Sequence, residues 1–221
     1  GTQANVTSAN VTDLNALLAA TTGTVTATID GNVAQLKNVT SNASSAATNA
    51  LTIVVDDVAT AAEGAAIAAS TNVGTVDFSA AGITDSLANL ASSGAATANL
   101  QAVDAKDANV NVSLSAAVTN ATAQNVTDLN ALLEATTGTV TATIDGNVAQ
   151  LKNITSNASS AATNALTIVV DDAATAAEAA AIADSTNVST VDFSAAGISD
   201  TLANLVAAGT GAVSANMAKI D

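Results

Sequence analysis

Thr24-Val25-Thr26-Ala27-Thr28-Ile29-Asp30 alternates strictly: Val25, Ala27 and Ile29 fall on one side, Thr24, Thr26, Thr28 and Asp30 on the other. Successive side chains of a pleated strand point to opposite faces, so the segment reads as a strand with one face buried and the other wet. Three more segments have the same rhythm. Ala50 to Asp56 turns Leu51, Ile53 and Val55 inward, Gly74 to Ala80 turns Val76 and Phe78 inward, and Asn109 to Ser115 turns Val110, Val112 and Leu114 inward. Strands covered on both faces read as unbroken apolar runs; these do not, which argues for a sheet with one hydrated face.

Between the strands the apolar residues fall at helical spacing: Val11, Leu14, Leu17 and Leu18; Val33, Leu36 and Val39; the Ala-rich run around Ile67; Ile83, Leu87 and Leu90; and Leu100 with Val103. Asp57 and Thr84 stand where helix N-caps are expected, with Asp13 and Asp85 in first turns. Strand starts lie 26, 24 and 35 residues apart, too far for hairpins and right for a strand, a helix and a return. The expected fold is α/β: an open right-handed solenoid of strand-helix repeats with a parallel sheet, each new strand adding to the same edge. The competing shape is a parallel β-helix with no true helices.

Residues 10 to 90 recur at 125 to 205, with 73 of the 81 positions identical. The first three strands therefore recur near positions 139, 165 and 189, giving seven in all. The expected organisation is a first copy over 1–115 of about four strand-helix units and a second over 116–221 ending after about three, stacked continuously. Both ends read as cut from a longer array. Near letter-for-letter duplication is the habit of units that make length.

Composition removes whole chemistries. His, Cys, Arg, Tyr, Trp and Pro are absent, and only Phe78 and Phe193 are aromatic. Without imidazole or thiolate there is no ordinary zinc site and no His or Cys catalysis. Without Arg or aromatic platforms there is little with which to grip phosphates, bases or sugars. A net charge of -15 repels nucleic acid and anionic lipid. No apolar run reaches the roughly 18 residues of a membrane span. Expected partners are therefore further repeats or copies of the chain, with no nucleic acid, no membrane insertion and no small-molecule substrate.

The phrases Val11-Thr-Asp-Leu-Asn-Ala-Leu-Leu-Ala-Ala-Thr-Thr-Gly-Thr-Val25 and Ile83-Thr-Asp-Ser-Leu-Ala-Asn-Leu90 resemble repeat units of giant bacterial cell-surface proteins, those of marine cyanobacteria in particular, and of surface-layer and adhesin-like proteins. The resemblance implies an extracellular, passive role as coat, stalk or spacer. It transfers no catalytic residue.

Several features invite a chemical reading. Aspartates gather at strand ends, at Asp30, Asp56, Asp57 and Asp77 and again at Asp145, Asp171, Asp172 and Asp192. In register they could offer oxygens to calcium, although no calcium-loop motif is present; the plain alternative is capping and solubility. Thr24, Thr26 and Thr28, with Thr139, Thr141 and Thr143, form outward rows that Asp77, Asn111 and Ser113 interrupt on other strands. Acceptor motifs for glycans occur at Asn5, Asn10, Asn38, Asn42, Asn120, Asn125, Asn153 and Asn157. Glu63 and Glu178 read as solvated helix positions rather than a glycosidase pair. Lys37 and Lys152 adjoin Asn38 and Asn153, raising an internal isopeptide bond for which the sequence names no partner. Catalytic, cofactor-binding and metal residues are assigned to none of these, and the alternative function is a binding module that uses the polar sheet face for a glycan, a protein or calcium.

Overall fold

The computed structural model describes residues 1–40, 49–78, 81–154 and 164–220. In chain order the elements are β1 (Thr2–Gln3), α1 (Ser8–Ala20), β2 (Thr26–Gly31), α2 (Val33–Leu36), β3 (Ala50–Val55), α3 (Ala61–Ala68), β4 (Val73–Asp77), β5 (Ile83–Asp85) and α4 (Leu87–Leu90). Then come β6 (Ala91–Ser92), β7 (Ala95–Ala96), α5 (Ala98–Asp104), β8 (Val112–Leu114), α6 (Ala123–Ala135), β9 (Val140–Gly146), α7 (Val148–Leu151), β10 (Ala165–Val170), α8 (Ala176–Ala183), β11 (Val188–Asp192) and α9 (Leu202–Leu205). A 3-10 turn at Met217–Lys219 follows. The fold is mixed α/β with parallel sheets and no closed barrel. No helix among the described residues is long and apolar enough to cross a membrane.

The chain forms two compact units. One is Gly1–Asp85 with Ala96–Ser113 and Ala135–Gly138; the other is Ser86–Ala95 with Leu114–Glu134 and Thr139–Asp221. The division does not fall at 115/116, where the sequence repeat turns over.

In the first unit β1, β2, β3 and β4 lie side by side in chain order, all parallel. Thr2 faces Thr28, Thr28 faces Thr52 and Thr52 faces Thr75, so each strand repeats the register of the one before. Ile29, Ile53 and Val76 form the matching interior row, all buried. The outer face of β3, Thr52 and Val54, is half-exposed. A register slip between Leu51 and Thr52 recurs between Leu166 and Thr167, although Gly74 in the first case is Ser189 in the second, so glycine is not its cause.

The second unit repeats the scheme with β9, β10 and β11 in chain order, Thr143 against Thr167 against Thr190. Val140, Ala142 and Ile144 of β9 are all buried, as are Leu166, Ile168 and Val170 of β10. Towards the C-terminus the pattern ends in an antiparallel bridge between Val206 and Val213.

Several expectations are corrected. Among the described residues there are eleven strands where seven were expected. Ile83 belongs to strand β5, its amide donating to the Asn111 carbonyl at 2.8 Å, and leaves α4 a single turn. β6 and β7 form a tight hairpin, because Ser93 and Gly94 both take positive φ, 56° and 77°, the geometry of a two-residue turn. Val25 and Leu114 are half-exposed and Leu17 is exposed, although all three were placed on apolar faces. The helix-free alternative does not hold, since α1 and α6 run 13 residues each. The expected caps also move: Thr60 caps α3 and Ser86 caps α4, because Thr60 and Glu63 close a reciprocal capping box that Asp57 cannot.

Phe78 is fully buried and its counterpart Phe193 half-exposed. Phe78→Ala should therefore lower stability by about 3–5 kcal/mol and Phe193→Ala by clearly less, as thermal or denaturant unfolding of the two variants would show.

Candidate functional site

The polar residues that the structure brings together lie between successive strand-helix segments, 24 residues apart in sequence. Asn49 is buried just before β3; its Oδ1 accepts the Val25 amide at 2.8 Å and its Nδ2 donates to Asn72 Oδ1 at 2.6 Å. Asn72, also buried, passes its own Nδ2 hydrogen to the Thr40 carbonyl. In the second unit Asn164 accepts the Val140 amide at 2.8 Å and donates to Asn187 at 2.5 Å. An amide side chain offers both donors and an acceptor, so a column of them satisfies buried backbone on one side while bonding the next member on the other.

A second column is made by aspartate. The first turn of a helix has amide hydrogens with no partner inside the helix. Asn32 takes the third-position amide of α2, and Asp57, from the following coil, takes the first, at Val33, at 2.6 Å. Thr60 and Asp85 divide the same work at α3, where Ala61 donates to Asp85 at 3.1 Å. Asp172 with Val148 (2.7 Å) and Asp200 with Ala176 (3.1 Å) repeat both cases. These carboxylates are helix caps, as the sequence implied for Asp57, but each caps the helix one coil back. The helix dipole favours the negative charge there.

The strand-end row is different. Hydrogen bonding to the Asp30 carboxylate, followed by desolvation and the nearby charges of Asp30 and Asp57, holds the Asp56 carboxyl above the ordinary aspartate range. Asp171 is raised in the same way by Asp145. Asp192 instead is lowered, by bonds from Ser194. Among the described residues no three carboxylates converge as a metal-holding group, so the calcium expectation gains no geometry: Asp57 and Asp172 point at amides, Asp56 and Asp171 at another carboxylate.

Glu63 and Glu178 are not merely solvated. Each closes a capping box with Thr60 or Thr175. Bonds from the backbone and hydroxyl of Thr60, with Lys37, hold Glu63 below the ordinary glutamate range; the hydroxyl and backbone of Thr175, with Lys152, do the same for Glu178. The lysine-glutamate pairs, 3.7 Å at Lys37 and 3.3 Å at Lys152, are exposed and contribute little to stability. Asn38 and Asn153 spend their side chains on the Ala34 and Ala149 carbonyls, 2.8 and 2.7 Å away, and the isopeptide idea finds no support in either.

The threonine rows reduce to one column in each unit, Thr2, Thr28, Thr52 and Thr75 in the first, flanked by Asp30, Val54 and Asp77, and Thr143, Thr167 and Thr190 in the second. Of the glycan acceptor motifs, Asn5, Asn38, Asn120 and Asn153 are exposed, Asn10 and Asn125 are tied into the capping of α1 and α6, and Asn42 and Asn157 lie outside the described residues. An open groove of about 310 Å³ lies along α1, lined by Val6, Val11, Asp13, Leu14 and Ile29; it carries no nucleophile or base pair. The asparagine columns were missed from sequence, although Asn49 and Asn72, and again Asn164 and Asn187, each stand just ahead of a strand at one coil's spacing. The capping box of Thr60 and Glu63 was missed as well, the cap having been placed at Asp57, although the Thr-x-x-Glu pattern that marks it stands in the sequence. Set against protein-family models, curated proteins and solved structures, the chain matches none.

Asp56 and Asp171 bind a proton more tightly folded than unfolded, so their contribution to stability rises as pH falls through their raised folded pKa. Glu63 and Glu178 do the reverse: their contribution is full above the unfolded value of about 4.3 and is lost as pH falls through the lowered folded pKa. The melting temperature should therefore rise on acidification through the raised carboxyls, Asp104 and Asp107 being raised by burial as well, and decline at lower pH as the lowered glutamates are protonated. Asp56→Asn with Asp171→Asn should reduce the upper limb, leaving the share of Asp104 and Asp107, and keep the lower one; a melting temperature that only falls on acidification from pH 7 would contradict this.

Proposed function

We propose that the chain is a non-enzymatic structural segment of a bacterial extracellular surface protein, a spacer, coat or stalk, whose coils follow one another as a right-handed solenoid. The supporting observation is the order of strands within each unit. β1 to β4 and β9 to β11 each add to one edge with the same threonine and isoleucine register. Within each of these runs successive strand-helix units offer the same edge, and an asparagine and a capping aspartate recur at the same places, a scheme that copying extends. That is the property a spacer needs, since stability then accumulates through nearest neighbours and length is set by copy number.

The composition supports the passive role, because the residues that perform most catalysis and most tight recognition are missing from all 221 positions. The surface location rests on the resemblance of the repeat phrases and on the acidity of the chain. With no cysteine, its stability is independent of redox compartment.

Small-angle scattering tests this reading. A compact body of this length would have a radius of gyration of about 17 Å; the solenoid should exceed that clearly, and an added 115-residue copy should lengthen it in proportion. A value at the compact limit, unchanged in scaling by the added copy, would contradict the proposal.

A further inference from the structure

The same sequence occurs at both ends of the repeat in two different states of burial. Residues 10–18 and 125–133 are identical. In α6, Leu129, Leu132 and Leu133 are fully buried and Asp128 is nearly so, its Oδ1 accepting the Gly94 amide at 2.7 Å. Gly94 sits in the β6–β7 hairpin at φ 77° and presents that amide outward from the turn. In α1 Leu18, the counterpart of Leu133, is buried too, but the other three have no such cover: Leu17 is 52% exposed, Asp13 is exposed, Leu14 is half-exposed, and Asp13 and Leu14 line the open groove.

The complementary lack is at the other end. Leu87 is 8% exposed and Leu90 fully buried, whereas their counterparts Leu202 and Leu205 are 73% exposed and half-exposed. The counterpart of the β6–β7 hairpin is the reversal from Val206 to Val213, closed by the Ala207 amide on the Ala212 carbonyl at 2.9 Å and turning through Gly209 and Gly211 at φ 73° and 69°. Of the four large apolar side chains exposed among the described residues, Leu17, Val58, Leu202 and Val213, three lie on these two surfaces.

We propose that a second copy of this chain docks head to tail: the 206–213 reversal and Leu202 of one molecule cover the α1 face of the next, with Asp13 accepting a turn amide as Asp128 accepts that of Gly94. This deepens the reading of the chain as an array segment and rests on it. The template is the hairpin-on-helix contact the chain already makes in its second unit. The two surfaces differ, so the contact is heterologous and joins molecules into open chains rather than closed dimers. The contact joins one reversal to one helix face, a small interface that dissociates on dilution. Like charges on every copy oppose it, and salt screens them.

Leu17→Glu blocks the head and Leu202→Glu the tail, both at positions already exposed, and unchanged melting curves would confirm that each variant folds. In sedimentation equilibrium the wild type should show an average mass that grows with concentration and with salt, and each variant alone should stay monomeric. An equimolar mixture should stop at twice the chain mass, because one good head remains for one good tail. A wild type monomeric at all concentrations, a variant that associates like the wild type, or a mixture without heterodimer would each overturn the proposal. A monomer with an extended scattering profile would remove the docking and leave the spacer reading standing; a heterodimer of compact molecules would do the opposite.

Discussion

Strand-helix segments of this chain depend on the segment that follows to satisfy their backbone amides. An amide hydrogen removed from water without a partner costs about 1–3 kcal/mol, and the interior here offers little to offset such losses, being built from Ala, Val, Leu and Ile with one fully buried aromatic ring. The asparagine column and the displaced aspartate caps meet the need from outside the coil that has it. Val25 is served by Asn49, Val33 by Asp57 and Ala61 by Asp85. Hydrophobic burial brings the coils together, and these bonds fix which residue faces which. A slip of one position would strand an amide at every coil.

That dependence explains how four-residue helices persist. α2 and α7 are far too short to be stable alone. Asparagine holds the third amide of each from within, and an aspartate from the following coil holds the first. The same logic accounts for the recurrence of these bonds in both copies despite eight substitutions, none of which touches Asn49, Asn72, Asp57, Asp85 or their counterparts.

The parallel α/β class was readable because alternation at Leu51, Ile53 and Val55 is a property of the strand itself, and all three are fully buried. Spacing gave the crossovers for the same reason. What could not be read was set by neighbours. Leu17 and Leu132 have the same local sequence, one 52% exposed and the other fully buried, so no periodicity distinguishes them. Asp57 looked like a local cap because sequence proximity is visible and coil-to-coil proximity is not. The asparagines preceding the strands were lost among many others in a chain rich in Asn, Thr and Ser. Candidate chemistry was legible chiefly as exclusion, through the residue types the chain lacks.

Amide hydrogen exchange at Val140 tests the coil-to-coil bonding most directly. The account predicts slow exchange in the wild-type chain, where Asn164 accepts this amide in a buried setting, and much faster exchange in Asn164→Ala, with Ile144 in the middle of the same strand far less affected. Equal protection of Val140 in the two proteins would show that the asparagine column does not hold the register, and the account would fail.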